Sequence, residues 1–202
     1  MTAPSDSTSE HGNLASSGPD WDQISPAEEF AAIFRSAGLP YALIGGYAVN
    51  AWATPRVTDD FDFVVLANRQ DIEKVEGLLS AAGFEHLRRQ DSGEDSGPDF
   101  VRMFNSDRRL IIDLQTAKTD YQDLVIERAV GSLKSGVRVA TPEDLVILKL
   151  IAGRSQDQKD LIDIVRSAEL EWPYVEHWAE VWQVSDRLAA IRRLIEDERP
   201  GI

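Results

Sequence analysis

The sequence lacks cysteine: none of its 202 residues is one, which excludes disulfide bonds and thiolate zinc sites. It also lacks any run of about 18 consecutive apolar residues, so we expect no membrane span. Its N-terminus does not follow the basic, apolar and small-residue order of a secretory signal, and we therefore expect a cytoplasmic protein. Histidine is scarce, and His11, His86 and His177 fall in no matching motif, so no histidine-based mechanism is supported.

Basic residues are few beside the acidic ones, with 21 lysines and arginines against 35 aspartates and glutamates. The formal net charge is -14 and the pI is near 4.6, which argues against broad nonspecific binding to nucleic acid. A local basic groove stays compatible with this balance. Hydrophobic residues make up 43% of the chain, enough for the core of one good-sized domain.

A short acidic strand is predicted from residue 60 to residue 66. Asp60 and Asp62 share one face of it, because side chains alternate along a strand, and Phe61 and Phe63 share the apolar face. The two aspartate Cα atoms would lie roughly 6.6 Å apart, which suits oxygens that bridge one divalent cation or a pair of them. The alternative is that both carboxylates face water on an amphipathic edge strand.

A glycine pair, Gly45-Gly46, lies between the apolar run 41–44 and a segment of helical period at 47–52. Glycines at a strand-to-helix junction let the backbone approach a ligand closely, so this junction is a candidate phosphate cradle. A hairpin turn is the alternative, and the helical period after the glycines argues against it. Arg56 and Thr58 then add a guanidinium and a hydroxyl beside the expected metal and phosphate position.

A second carboxylate strand follows further along the chain. Residues 99–104 and 109–115 flank the turn sequence 105–108 and predict a hairpin. Asp113 interrupts the otherwise apolar second strand, and a buried lone carboxylate needs a partner. It is therefore either a solvent-facing residue or the third metal ligand beside Asp60 and Asp62.

The spacing Gly45-Gly46, then Arg56-x-Thr58-x-Asp60-x-Asp62, resembles the signature of the nucleotidyltransferase superfamily related to DNA polymerase β, in its minimal bacterial form. Many members have Gly-Ser where this chain has Gly-Gly. That difference places the resemblance nearer the branch of antibiotic nucleotidyltransferases and AbiEii-type toxins. The resemblance implies an α/β (α+β) fold, in which a short mixed sheet with flanking helices precedes a helical C-terminal region. It also implies an NTP substrate, two Mg²⁺ ions held by the three aspartates, and a third carboxylate on a later strand.

Residues 141–165 carry a second part of the resemblance. Thr141 and Pro142 open a predicted helix that is apolar nearly all round, with Lys149 as its only cation. From its position in an apolar helix, that lysine is expected either to extend to solvent or to contact a phosphate. The segment is similar to the helical motifs of AbiEii-type nucleotidyltransferases, which implies that Lys149 and an Asp-x-x-Asp pair help form the nucleotide and acceptor site. We place the remaining roles by that resemblance on three residues: Asp160, Asp163 and, as a phosphate contact, Arg154.

Asp160 and Asp163 lie one helical turn apart and share a face of the helix. The alternative to a binding role is that this face, together with Lys159, is exposed to solvent.

The chain is expected to divide into a disordered leader at 1–20, a nucleotidyltransferase core at 21–140 and a helical region at 141–202 that completes the cleft. Further caps predict a helix from Ser25-Pro26 to Gly38 and another from Asn68 to about residue 82.

In the last region, Trp178, Val181 and Trp182 are expected to pack back on the domain.

The expected reaction moves a nucleoside monophosphate from an NTP to a hydroxyl acceptor and releases pyrophosphate. The acceptor is left open among a small molecule such as an aminoglycoside or lincosamide, tRNA, and protein. A cognate antitoxin is an expected partner if the chain is toxin-like. The remaining alternative is that the chain is a non-catalytic relative, which binds either nucleotide or a partner protein without catalysing a reaction.

Overall fold

A mixed β-sheet forms the centre of the fold in the computed structural model, which describes residues 26–93, 97–131 and 136–197. Its seven strands in these residues are β1 Tyr41–Ile44, β2 Asp60–Val65, β3 Glu85–Gln90, β4 Phe100–Asn105, β5 Leu110–Thr116, β6 Val130–Gly131 and β7 Arg138–Val139. They lie in the order β3-β4-β5-β2-β1-β7-β6. The strands that carry the acidic residues, β2 and β5, are therefore neighbours.

The sheet contains both parallel and antiparallel pairs. β1 pairs antiparallel with β2, β2 pairs parallel with β5, and β5 pairs antiparallel with β4. The β4–β5 pair is the predicted hairpin, with its turn at 106–109 instead of 105–108, and β6–β7 is a second hairpin. In the parallel pair Asp62 lies opposite Asp113.

Helices cover the sheet and continue past it. Within the described residues they are α1 Ala27–Ala37, α2 Gly45–Asn50, α3 Arg69–Ala81, α4 Asp120–Arg128, α5 Pro142–Ala152, α6 Ser155–Ser167, α7 Trp172–Val181 and α8 Ser185–Asp197. None of them is long and apolar enough to cross a membrane.

Local capping chemistry sets several of the helix ends. Asn68 and Asp71 form a reciprocal capping box at the start of α3. The Thr141 side chain accepts a hydrogen bond from the backbone N–H of Asp144 at the start of α5. Gly38 ends α1 in the left-handed conformation, as predicted.

Aromatic rings fill the core on one face of the sheet. Phe61 and Phe63 of β2 are fully buried, and the ring centroids of Phe30 and Phe34 in α1 lie 5.3 Å from Phe61 and 4.9 Å from Phe63, respectively. This packing fixes which face of β2 is apolar. The aspartates of β2 are thereby placed on the opposite face.

A buried carboxylate connects three of the later helices. Asp144 in α5 is 0% exposed and accepts hydrogen bonds from Tyr121 of α4 at 3.2 Å and Tyr174 of α7 at 2.5 Å. Arg128 neutralises it, with Nε 3.2 Å from Oδ2, and stacks its guanidinium on the Tyr174 ring. A buried charge needs such partners, so this cluster holds α4, α5 and α7 in one arrangement.

Trp178 of α7 and Trp182, the residue after α7, also pack on α4. The ring centroid of Tyr121 lies 4.4 Å from that of Trp178 and 5.9 Å from that of Trp182. Val181 does not share this packing and is 52% exposed, so its predicted packing is wrong. The reason is helical rotation, since Val181 lies about 200° around the helix from the buried Ala179.

The observed architecture confirms the predicted fold class: a mixed sheet with helices, followed by a helical C-terminal part. The leader at 1–20 and the cap at Ser25 lie outside the described residues, as do residues 94–96, 132–135 and 198–202.

Candidate active site

Three aspartates converge on one point of the sheet. Asp60 and Asp62 of β2 and Asp113 of β5 each offer a carboxylate oxygen, and these oxygens all lie within 4.8 Å of one another. The parallel register makes this possible because it aligns Asp62 with Asp113 and leaves Asp60 one pleat away on the same face. Clustered carboxylate oxygens are the donors that Mg²⁺ prefers, so the donor set fits a divalent cation.

The electrostatics of Asp62 point the same way. Burial, together with the neighbouring charges of Asp60 and Asp113, raises the pKa of Asp62 to about 7. Arg154 and Lys149 act against this rise. Among the described residues no side chain forms an ion pair or hydrogen bond with the Asp62 carboxylate. A cation at this point would supply the positive charge that Asp62 otherwise lacks.

The glycine pair provides the space for this cluster. Gly45 begins α2 with a φ of 67°, and a Cβ on it would overlap the Asp62 carboxylate. A Cβ on Gly46 would lie 2.6 Å from the Thr58 hydroxyl oxygen. Both positions therefore need glycine, because the backbone of α2 lies directly against the side chains that follow it in the motif.

One cation beside the cluster was missed by the sequence reasoning. Arg102 on β4 lies opposite Asp113 in the hairpin register, and its Nε donates to Asp113 Oδ1 at 2.6 Å. Its Nη2 donates to Asp113 Oδ2 and, at 3.2 Å, to Asp60 Oδ2. The hydrogen bond to Asp113 raises the pKa of Arg102 further. The predicted turn at 105–108 does not give this pair, because it would place residue 102 opposite residue 111; the observed turn at 106–109 places it opposite Asp113.

A second charged network lies on the other side of the cleft. Asp160 of α6 is 1% exposed and accepts two hydrogen bonds from Arg56, from Nε at 2.7 Å and from Nη2 at 2.8 Å. Lys149 Nζ lies 2.6 Å from Asp160 and 3.1 Å from Asp157. Burial alone would raise the pKa of Asp160, but the hydrogen bonds from Arg56 and Lys149 outweigh it, and the pKa is lowered. The carboxylate is thus held ionised between two cations.

This network excludes one of the two alternatives for Lys149, the solvent-facing side chain. The side chain does not reach solvent, because it is buried and paired with two aspartates. Asp157, which the sequence reasoning did not select, takes part through both Lys149 and the backbone N–H of Arg154.

The two aspartates of α6 differ in placement. Asp160 faces the cleft residues, whereas Asp163 is partly exposed and lies 3.6 Å from Lys159. The Asp163 carboxylate therefore matches the solvated-face alternative more closely than Asp160 does.

A cleft of about 900 Å³ joins the aspartate cluster to the helical part. It is lined by nearly all the residues selected from the sequence, namely Gly45, Gly46, Arg56, Thr58, Asp60, Asp62, Asp113, Lys149 and Arg154. Asp160 and Asp163 are not among the lining residues; Asp160 lies behind Arg56 and Lys149. At the end next to α4 the lining is aromatic, with Tyr121 and Trp182.

Comparisons with known proteins show what the chain as a whole is similar to. The model of the family described as nucleotidyl transferase AbiEii toxin, type IV TA system, matches residues 31–195. No curated protein matches the sequence. A solution structure of the antibiotic-resistance factor ANT(2″)-Ia aligns with a TM-score of 0.57 and 14% identity, over 89% of this chain and 100% of that one. A crystal structure of ANT(2″)-Ia in complex with adenylyl-2″-tobramycin aligns with a TM-score of 0.56 and 15% identity, over 80% and 97% of the two chains. At these identities the two structures show a shared fold.

Proposed function

Since this chain belongs to the AbiEii family of nucleotidyltransferases, we propose that it transfers a nucleoside monophosphate from an NTP to a hydroxyl acceptor with divalent cations bound. The observation that carries the proposal is the set of three aspartate oxygens within 4.8 Å of one another on the wall of a cleft. An enzyme that acts on a polyphosphate needs such a point of cation binding next to space for the nucleotide.

The reaction replaces one phosphorus–oxygen bond with another. The acceptor oxygen forms a bond to the α-phosphorus, the bond from that phosphorus to the bridging oxygen breaks, and pyrophosphate leaves with the electron pair. When bound, the divalent cations neutralise the phosphate oxygens and lower the pKa of the acceptor hydroxyl. The acceptor proton passes to water or to Asp113.

Some residues of the cleft would hold the metal ions and the triphosphate, and others would balance the negative charge of the phosphates. Asp60, Asp62 and Asp113 would hold the two Mg²⁺ ions. The backbone of Gly45 and Gly46 lines the cleft beside Asp62 and would contact the triphosphate tail.

Positive side chains of the cleft would balance the phosphate charge. Arg56 and Lys149 are fixed by Asp160, so their charges are positioned before the substrate arrives, and Thr58 adds a hydroxyl. Such positioned charges act mainly by orienting the substrate and by electrostatic stabilisation. Arg154, at the exposed start of α6, would contact a phosphate from the same side.

For the acceptor, the family description favours the toxin-like alternative, in which a tRNA or a protein is modified and a cognate antitoxin is a partner. A cationic small molecule such as an aminoglycoside is the second candidate. The observation that favours it is that Asp59 and Asp157 line the cleft in addition to the three clustered aspartates, although five basic residues line the cleft as well.

Transfer of label from α-labelled NTPs tests the proposal. The protein is incubated with Mg²⁺ and separate pools of tRNA, protein extract and antibiotic, and both labelled product and pyrophosphate are measured. We expect transfer by the wild type and by Asp107→Asn, which neutralises an exposed carboxylate in the β4–β5 turn, and none by Asp62→Asn. Wild-type turnover in Asp62→Asn contradicts the proposal, and so does Mg²⁺-independent NTP binding without pyrophosphate release.

A further inference from the structure

Arg102 is the one cation that touches the aspartate cluster itself among the described residues. Its guanidinium engages both oxygens of Asp113 and one oxygen of Asp60, so it occupies two of the three carboxylates that the proposed function assigns to metal. Asp113 is only 2% exposed, so water does not compete strongly for it. Arg102 itself is about a third exposed and lines the cleft, which leaves its side chain room to move.

A guanidinium in this position opposes a divalent cation in two ways. It holds the lone pairs of Asp113 and Asp60 in charge-assisted hydrogen bonds, and its positive charge repels a second cation nearby. Loss of a unit charge this close to a divalent ion changes the affinity by roughly tenfold. A merely structural arginine, one that only orients Asp113, would have the opposite effect, because its loss would loosen the ligand and weaken metal binding.

Nucleotide phosphate offers Arg102 another partner. The guanidinium fork matches phosphate as well as it matches carboxylate, and Arg102 already lines the cleft that would receive the triphosphate. When Arg102 turns to the phosphate, it would release the carboxylates of Asp113 and Asp60, and these carboxylates could then bind a cation. Nucleotide binding and cation binding would therefore be coupled. By linkage, metal and nucleotide would then each strengthen the binding of the other.

We propose that Arg102 is an internal counter-ion of the aspartate cluster that competes with the divalent cation for Asp113 and Asp60, so that nucleotide, by drawing the guanidinium away, strengthens metal binding. This inference rests on the proposed metal-dependent function. It assigns to Arg102 control of metal affinity.

Calorimetric titration of Mn²⁺ into the nucleotide-free protein tests the assignment. We expect Arg102→Gln to bind Mn²⁺ roughly tenfold more tightly than the wild type, because the competing charge is gone. Arg102→Lys keeps the charge and should stay within a few-fold of the wild type. Arg88→Gln is the matched control. Arg88 lies on β3, opposite Arg102 in the β3–β4 pair, and also lines the cleft. Among the described residues it forms no ion pair with the aspartate cluster. It should leave the Mn²⁺ affinity unchanged.

Removal of the arginine leaves Asp113 buried without its partner, so Arg102→Gln can fail to fold. A measurement on the wild type then decides. The side-chain Nε–H of Arg102, identified in ¹⁵N spectra by its loss in Arg102→Lys, should exchange faster with water as Mg²⁺ saturates the site, because its hydrogen bond to Asp113 is released. Unchanged protection at saturating Mg²⁺ overturns the inference.

The remaining outcomes separate this inference from the proposed function. If the wild type binds Mn²⁺, Asp62→Asn does not, and Arg102→Gln binds with equal or lower affinity, the counter-ion role is wrong while the metal site stands. If neither the wild type nor Arg102→Gln binds Mn²⁺, with or without a nonhydrolysable NTP, the metal-dependent function is wrong and the counter-ion role falls with it.

Discussion

The substitution Asp62→Asn should make the folded protein more stable while it removes metal binding. The structure raises the pKa of this carboxyl from 3.8 to about 7, because it is buried beside Asp60 and Asp113. A group whose pKa is raised on folding binds more protons in the folded state than in the unfolded state between these two values. The stability of the wild type therefore falls as pH rises from about 4 to about 7, and above pH 7 the full cost of ionising Asp62 is present.

The size of the effect follows from the same shift. A difference of about 3 pKa units corresponds to about 4 kcal/mol at 1.36 kcal/mol per unit. Solvent reaches part of the side chain, and screening reduces the figure to about 2 kcal/mol. For a chain of this length, 2 kcal/mol corresponds to a rise in Tm of roughly 4–8 °C. The gain of Asp62→Asn should be about 2 kcal/mol at pH 8 and should shrink towards zero at pH 4.

Urea denaturation in EDTA, followed by the fluorescence of the 5 tryptophans, measures this difference at pH 4, 6 and 8. Asp107→Asn, which removes an exposed charge, should show no such dependence on pH. Added Mg²⁺ should stabilise the wild type and not Asp62→Asn, because a ligand of the folded state shifts the unfolding equilibrium. Equal stability of wild type and Asp62→Asn at pH 8, or an undiminished gain at pH 4, refutes the electrostatic reasoning.

Three further substitutions, the first with a glycine control, test one contact in the site and two structural contacts outside it by the same denaturation assay. Gly45→Ala should lower the free energy of unfolding by about 2 kcal/mol or more and abolish transfer, because the residue has a positive φ and a Cβ would overlap the Asp62 carboxylate. Gly77→Ala is the control: in the middle of α3, where a Cβ meets no other atom, it should add about 0.5–1 kcal/mol of stability. Unaltered transfer by Gly45→Ala would count against the close approach. Arg128→Met should cost about 3 kcal/mol, since it leaves Asp144 buried without its cation, and a loss below about 1 kcal/mol would mean that the tyrosines suffice. Asn68→Ala should cost about 1 kcal/mol by removing the capping box, and no change in the urea midpoint would contradict that role.

Sequence patterns of a few residues predicted the core-facing side of β2 and the starts of two helices. The alternation in β2 placed Phe61 and Phe63 in the core, and the caps at Asn68 and Thr141 marked helix starts correctly. Each of these features is determined within a few residues of the chain, by strand alternation or by a side chain that satisfies nearby backbone groups. The fold class and the nucleotidyltransferase family were predicted from the motif spacing and are confirmed.

Long-range contacts were beyond the reach of these patterns. The ion pair of Arg56 and Asp160 joins residues 104 positions apart, and nothing near either residue indicates the other. Asp160 was selected by resemblance, and its burial between two cations became visible only in the structure. Arg102 was missed as well, because the turn predicted at 105–108 pairs residue 102 with residue 111, whereas the observed turn, one residue later, pairs it with Asp113. The catalytic and binding roles of the selected residues stay predictions.

The carboxylate of Asp160 has a consequence for how the chain can be cut. It belongs to α6, yet it fixes Arg56, which lies in the loop before β2 and lines the cleft. A fragment that stopped at residue 140 would keep the aspartate cluster but release Arg56 from its anchor and expose the apolar surface under α5. The segment that looks like a self-contained core is therefore an incomplete part, and expression trials aimed at a smaller catalytic unit should retain the chain through α6.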